Sequence, residues 1–147
     1  MRVILLLALV VVTSTNNANP QKDISPSVDA RPETVVQRFV DAANARDAQR
    51  MAALVAVDAV FARFPGGEII AQSREGIQEH YAKGLGPLSS ELRITVQPRI
   101  VEGQFVIDQE HIAGLPGGPR QATWMYLVRD GLIHRAWALD AQPGSAR

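Results

Sequence analysis

From Leu92 onward the apolar residues recur at every second position, whereas most of the chain before it follows helical spacing. This change of period is the strongest constraint on the fold, because a repeat of two fits only a pleated strand and a repeat near 3.6 fits only a helix. Residues 92–101 read as one long strand interrupted near Pro98. A proline has no N–H for a ladder, so this strand lies at an edge or carries a bulge. Glu102-Gly103 makes a tight turn, residues 104–112 the next strand, and the glycine- and proline-rich residues 114–119 a connector. Residues 121–129 and 132–140 flank Asp130-Gly131, a strong hairpin signal.

Upstream, Pro32 fits a first helical turn, with Glu33 beside the positive helix end. Val35, Val36, Phe39, Val40 and Ala43 then form one buried stripe. Asp47 caps a second, short helix with the stripe Ala48, Met51, Leu54 and Val55. Residues 58–64 read as a strand, Pro65-Gly66-Gly67 as a turn and residues 68–71 as a brief return. Ser73 caps a third helix in which Ile77 and Tyr81 stack, Glu79 and Lys83 pair on the solvent face, and Gly84 ends the run. Helices and strands are thus largely segregated along the chain, which predicts an α+β fold and not a parallel doubly wound sheet.

The amino terminus predicts export. Arg2 precedes ten unbroken apolar residues, 3–12, and then small polar ones, the order of a secretory signal. Ten helical residues rise only about 15 Å, half of a bilayer core, so this run does not span as a helix. The expected organisation is a signal peptide over 1–19, a polar leader over 20–31, one domain over 32–141 and a polar tail over 142–147. The mature chain is then secreted or periplasmic, with no membrane attachment after signal removal. The 15 basic residues balance 15 acidic ones, and loss of Arg2 shifts the balance by one toward acid. That gives no electrostatic reason to expect a nucleic acid partner. A mature domain of roughly 120 residues buries about two-thirds of its unfolded surface, enough for one core without disulfide staples.

Four segments in this order resemble the SnoaL-like branch of the nuclear-transport-factor-two-like superfamily. Residues 39–47 are similar to its first helix and turn, and Asp58-Ala59-Val60-Phe61 to its first strand. Ser73-Arg74-Glu75-Gly76-Ile77 with Tyr81 resembles its third helix, with serine where glycine is usual. Residues 126–133 with Trp137 resemble the closing hairpin. The resemblance implies a cone: a curved antiparallel sheet wrapped around three N-terminal helices, with a pocket open at one end. It also implies a homodimer and a range of functions, from ketosteroid isomerases and polyketide cyclases to dehydratases and binding proteins. The isomerase branch needs a carboxylate base, a tyrosine and a protonated carboxyl. The matching positions here hold Arg63 and Phe39, and residues 122–128 carry no carboxyl, so ordinary ketosteroid isomerase activity is expected to be absent.

A different polar set remains. Asp108 and Glu110 share one strand face, with Phe105 and Ile107 on the other. Facing inward, one carboxylate would be desolvated and raised in pKa, a candidate base, with Arg63 as its ion partner or as an anion clamp. Facing outward, both are ordinary solvated groups, and the spacing leaves both readings open. Trp124 and Tyr126 share a face with Ala122 and Val128 and make either a pocket wall or core and dimer packing. Phe61, Arg63 and Tyr81 complete the candidate ligand contacts, and Trp137 reads as a core residue packed on the helices. His80, His111 and His134 lack metal-ligand spacing, so no metal and no cofactor are expected. The leading expectation is an exported pocket protein for a small, mostly apolar molecule. The alternative is a cofactor-independent isomerase, lyase or hydratase with a carboxylate base.

Overall fold

The computed structural model describes residues 30–88 and 90–139. The expected signal peptide, most of the leader, the last two residues of the expected domain and the tail lie outside the described residues. Pro32 opens α1 (Pro32–Asn44), which buries Val35, Val36, Phe39, Val40, Ala42 and Ala43. Its last residue ties it to the sheet: Asn44 accepts from the Ile94 N–H at 2.7 Å and donates to the Ile94 carbonyl at 3.0 Å. Asp47 caps α2 (Ala48–Ala53) by accepting from the Arg50 N–H at 2.9 Å.

The second helix is shorter than its apolar stripe suggests. Leu54 and Val55 leave it because a neighbouring strand claims them: the Ile133 N–H donates to the Leu54 carbonyl, and Val55 pairs with Ile133. Strand β1 (Val55–Phe64) therefore starts ahead of Asp58. It turns into β2 (Ile69–Gln72), and α3 (Arg74–Leu85) follows, running one residue past Gly84. Strands β3 (Arg93–Glu102), β4 (Phe105–Ala113), β5 (Arg120–Arg129) and β6 (Leu132–Leu139) form an antiparallel meander. The six-stranded sheet has the order β2-β1-β6-β5-β4-β3, and only the β1–β6 pairing is parallel. Pro98 sits on the edge strand β3, where the register slips between Val96 and Arg99. Such bulges bend a strand, and this α+β sheet curves around the helices.

The three helices cover one sheet face, and the core lies between. Phe39, Met51, Ile77, Val106, Tyr126 and Ile133 are buried there. Trp137 departs from its expected place. Ile133 pairs with Val128 and Arg135 with Leu127, so His134 is an extra residue on β6 and reverses its side-chain parity. Ala136 consequently takes the inner position, in register with Phe61 and Tyr126, while Trp137 pairs with Met125 and Ala62 on the outer face.

Ser73 carries backbone strain, with φ 63° and ψ 157°, a region held almost only by glycine. Its hydroxyl compensates in part by accepting from the Gly76 N–H at 3.2 Å. Glycine at an N-cap costs only a few tenths of a kcal/mol, less than the strain it relieves. Ser73→Gly is expected to raise unfolding stability by about 1 kcal/mol, and Ser73→Ala, which keeps the strain and loses the cap, to lower it by about as much, as measured by denaturant unfolding.

Candidate functional site

Alternation along β4 sends Val106, Asp108, Glu110 and Ile112 toward the helices and Phe105, Ile107 and Gln109 away. Both carboxylates therefore face inward, Asp108 fully buried and Glu110 at 5% exposure. Burying two acids two residues apart requires compensation, and they receive it differently.

Asp108 is held by Arg99, its register partner on β3. The guanidinium grips it with both arms, Nε to Oδ1 and Nη2 to Oδ2, each at 2.7 Å. The remaining nitrogen of Arg99 donates to the Glu33 carbonyl at 3.2 Å and to Gln37 at 3.0 Å, so the pair also fastens α1 to the sheet. Arg99 was not among the sequence candidates, although a signal for it exists. The turn at Gly103 pairs Glu102 with Phe105, and stepping back along that hairpin brings Arg99 opposite Asp108.

Among the described residues Glu110 has no such cation to itself, and its hydrogen-bond donor is the Tyr126 hydroxyl, at 3.2 Å. Burial pushes its pKa up to about 7; the charge of Asp108 adds to the rise, while the Tyr126 hydrogen bond and Arg99 oppose it. The same burial, with the charge of Glu110, holds the Tyr81 and Tyr126 hydroxyls above their ordinary range, so both keep their protons. Among the described residues Glu110 is the one ionisable carboxyl lining a cavity of about 160 Å³, otherwise walled by residues such as Phe39, Met51, Leu92, Tyr81, Trp124 and Tyr126. A cavity of about 150 Å³ holds benzene. Both tyrosines of the chain stand in this wall.

Tyr81, Trp124 and Tyr126 line the cavity. Phe61 does not line it. It is fully buried behind it, its ring 5.8 Å from Phe39 and 6.2 Å from both Tyr81 and Trp124, where it supports the lining rings. Arg63 is not the ion partner of either carboxylate. The β1–β2 turn brings Glu68 to it at 3.4 Å, and it faces an outer cleft next to the cavity. Among the described residues no three His, Asp or Glu side chains gather closely enough to hold a metal ion.

The raised pKa of Glu110 has a stability consequence. Between pH 4.5 and about 7 the folded chain binds this proton and the unfolded chain does not. Folding stability from this group is therefore full below pH 4.5 and is lost as the pH rises through about 7, by about 3 kcal/mol. Denaturant unfolding at pH 4.5 and pH 8 is expected to show this loss in the wild type and not in Glu110→Gln.

No curated protein matches the chain with statistical significance. Solved structures do. One is an uncharacterized cystatin-fold protein of Novosphingobium aromaticivorans, with a TM-score of 0.67 and 17% identity, covering 74% of this chain and 97% of that one. An NTF2-like protein of Cytophaga hutchinsonii superposes with a TM-score of 0.59 at 18% identity, over 73% of this chain and 87% of its own. A ketosteroid-isomerase-like fold protein of Catenulispora acidiphila, solved in complex with trimethylamine, gives 0.60 at 16% identity, over 74% of this chain and 85% of its own. At such identities the likeness establishes the fold, and the sequence profile of the SnoaL-like domain matches residues 36–136. With the profile covering most of the chain, the chain belongs to the SnoaL-like domain family.

Proposed function

We propose that this chain catalyses a cofactor-independent proton transfer on a small, largely apolar molecule held in the cavity, with Glu110 as the base. The observation that carries this reading is a single carboxyl, titrating near neutrality, set in an apolar wall. A base works best when its pKa lies near the working pH, and desolvation strengthens it toward a carbon acid. Glu110 would take the proton from a carbon beside a carbonyl and return it at another position, or let a leaving group depart. The Tyr81 hydroxyl, which keeps its proton, is the candidate donor to the oxygen that gains charge. Tyr126 positions the carboxyl of Glu110.

The size of the cavity favours one ring or a short branched chain over a four-ring skeleton. With Arg63 and Phe39 at the positions where the isomerase branch has base and tyrosine, a β,γ-unsaturated 3-ketosteroid is expected to show no turnover above buffer. A set of small cyclic and aryl ketones in D₂O should instead show deuterium incorporation by NMR. Its rate should rise through about pH 7 as Glu110 ionises and fall at least a hundredfold in Glu110→Gln. Tyr126→Phe removes a hydrogen bond that lowers the Glu110 pKa, so it should move the profile to higher pH.

A binding-only reading is favoured by one observation: the Tyr126 hydroxyl is committed to Glu110, and Phe39 offers no hydroxyl. Ligand-induced thermal stabilisation with no exchange across the set would select it.

We also propose export and self-association. The apolar run at residues 3–12 supports a cleaved signal, which intact-mass measurement of the exported chain would test by a start between Asn16 and Gln21. The outer sheet face supports a homodimer: Ile100 is 56% and Phe105 40% exposed, on the same face as Ile107, Met125 and Trp137. Light scattering at micromolar concentration should give a dimer, and Trp137→Glu a monomer.

A further inference from the structure

Glu110 has an oxygen that the fold does not use. Tyr126 donates to its Oε1 at 3.2 Å, and among the described residues no donor meets its Oε2. That second oxygen is not sealed in, because no enclosed side-chain oxygen or nitrogen among the described residues lacks a partner. Glu110 is 5% exposed and lines the inner cavity, so the open oxygen faces that space. An ionised carboxylate accepts at both oxygens and donates at neither, so what completes it is a hydrogen-bond donor carried by a ligand.

The walls select the kind of donor. Four aromatic rings line the cavity: Phe39 from α1, Tyr81 from α3, and Trp124 and Tyr126 from β5. Neighbouring centroids lie 5.6 to 6.2 Å apart, so a ligand seated among them is in range of more than one ring. Phe39 and Tyr81 stand at 85° to each other, so the set offers faces as well as edges. Ring faces attract cations. Charge points the same way. The charges that act on Glu110 are Asp108 on its own strand and Arg99 on β3. Those two grip each other at 2.7 Å and compensate each other. Tyr126 on β5 and Tyr81 on α3 keep their protons and add no charge. Among the described residues an ionised Glu110 is therefore the uncompensated charge of this interior, and a monocation balances it.

Resting on the reading of this cavity as the ligand site, we propose that it recognises a small cyclic or branched alkylammonium ion, with an N–H on Glu110 Oε2 and the hydrocarbon body against the rings. A cavity of about 160 Å³ holds one six-membered ring. Met51 and Leu92, also in its wall, meet the carbons of such a ring. The N–H to carboxylate bond is charge-assisted, and the low-dielectric wall strengthens it. An amine seated this way occupies the base, so it competes with the ketones.

Calorimetric titration with piperidine, its neutral ring analogue tetrahydropyran, and phenol tests this at low salt. Piperidine stays protonated from pH 5.5 to pH 8.5, whereas Glu110 ionises across that range. At pH 8.5 piperidine should bind about tenfold tighter than tetrahydropyran, and at pH 5.5 less than about twofold tighter. Glu110→Gln should abolish the preference at both pH values. Trp124→Leu, which leaves Glu110 in place, should cut piperidine affinity several-fold more than tetrahydropyran affinity. A preference absent from the wild type at pH 8.5, a preference that survives Glu110→Gln, or phenol binding tighter than piperidine overturns the ammonium site. The readout is binding and not turnover, so the two readings fail separately. A piperidine preference without deuterium exchange on any ketone overturns the proton transfer alone, and exchange without the preference overturns the ammonium site alone.

Discussion

The buried pairing of Arg99 with Asp108 is the constraint on which the rest of this architecture depends. A fully buried carboxylate is tolerated only when paired and hydrogen-bonded, and a two-armed guanidinium meets that need. The third arm of Arg99 reaches Glu33 and Gln37, so the same pair sets where α1 lies over the edge of the sheet. Glu110, two residues along β4, inherits what remains: a place on the same face, a neighbouring negative charge and one phenolic hydrogen bond. Burial raises its pKa and the charge of Asp108 adds to the rise, against the opposing pull of the Tyr126 hydrogen bond and of Arg99.

The aromatic residues give that carboxyl a rigid surrounding. Phe39 meets Phe61, Tyr81 and Tyr126 edge-on, at centroid distances between 5.6 and 6.2 Å, and Trp124 stacks on Tyr126 at 6.1 Å. Rings from α1, α3, β1 and β5 thus meet at one point, and edge-to-face contacts add specific geometry to area burial. Phe61 contributes from behind, by limiting how far the lining rings can move. The cavity is therefore shaped by helices and sheet together.

The helix-facing side of the sheet changes character along its length. Around Glu110 it is apolar; around Arg63, Glu68 and Arg120 it is more open and carries charged groups of both signs. A fold does not fix a function, so function has to be argued from the residues of this face and not from the cone itself.

Much was legible in the sequence. The capping side chains Asp47 and Ser73, the edge proline Pro98, the Asp130-Gly131 hairpin and the pairing of Asp108 with Glu110, and of Trp124 with Tyr126, on common faces all follow from local chemistry and from the period of two. That period says which residues share a face, but not which face the helices cover, and so it left both orientations of Asp108 and Glu110 open. It also fails across a bulge: one extra residue, His134, turned Trp137 outward and Ala136 inward. Arg63 was a reasonable partner by charge alone, yet its own hairpin brought Glu68 to it, and Arg99 reached Asp108 through strand register. Local chemistry determined the elements and their faces. Only tertiary structure decided which carboxylate received the arginine and which was left to titrate near neutrality, because burial and register depend on pairing between segments distant in the chain.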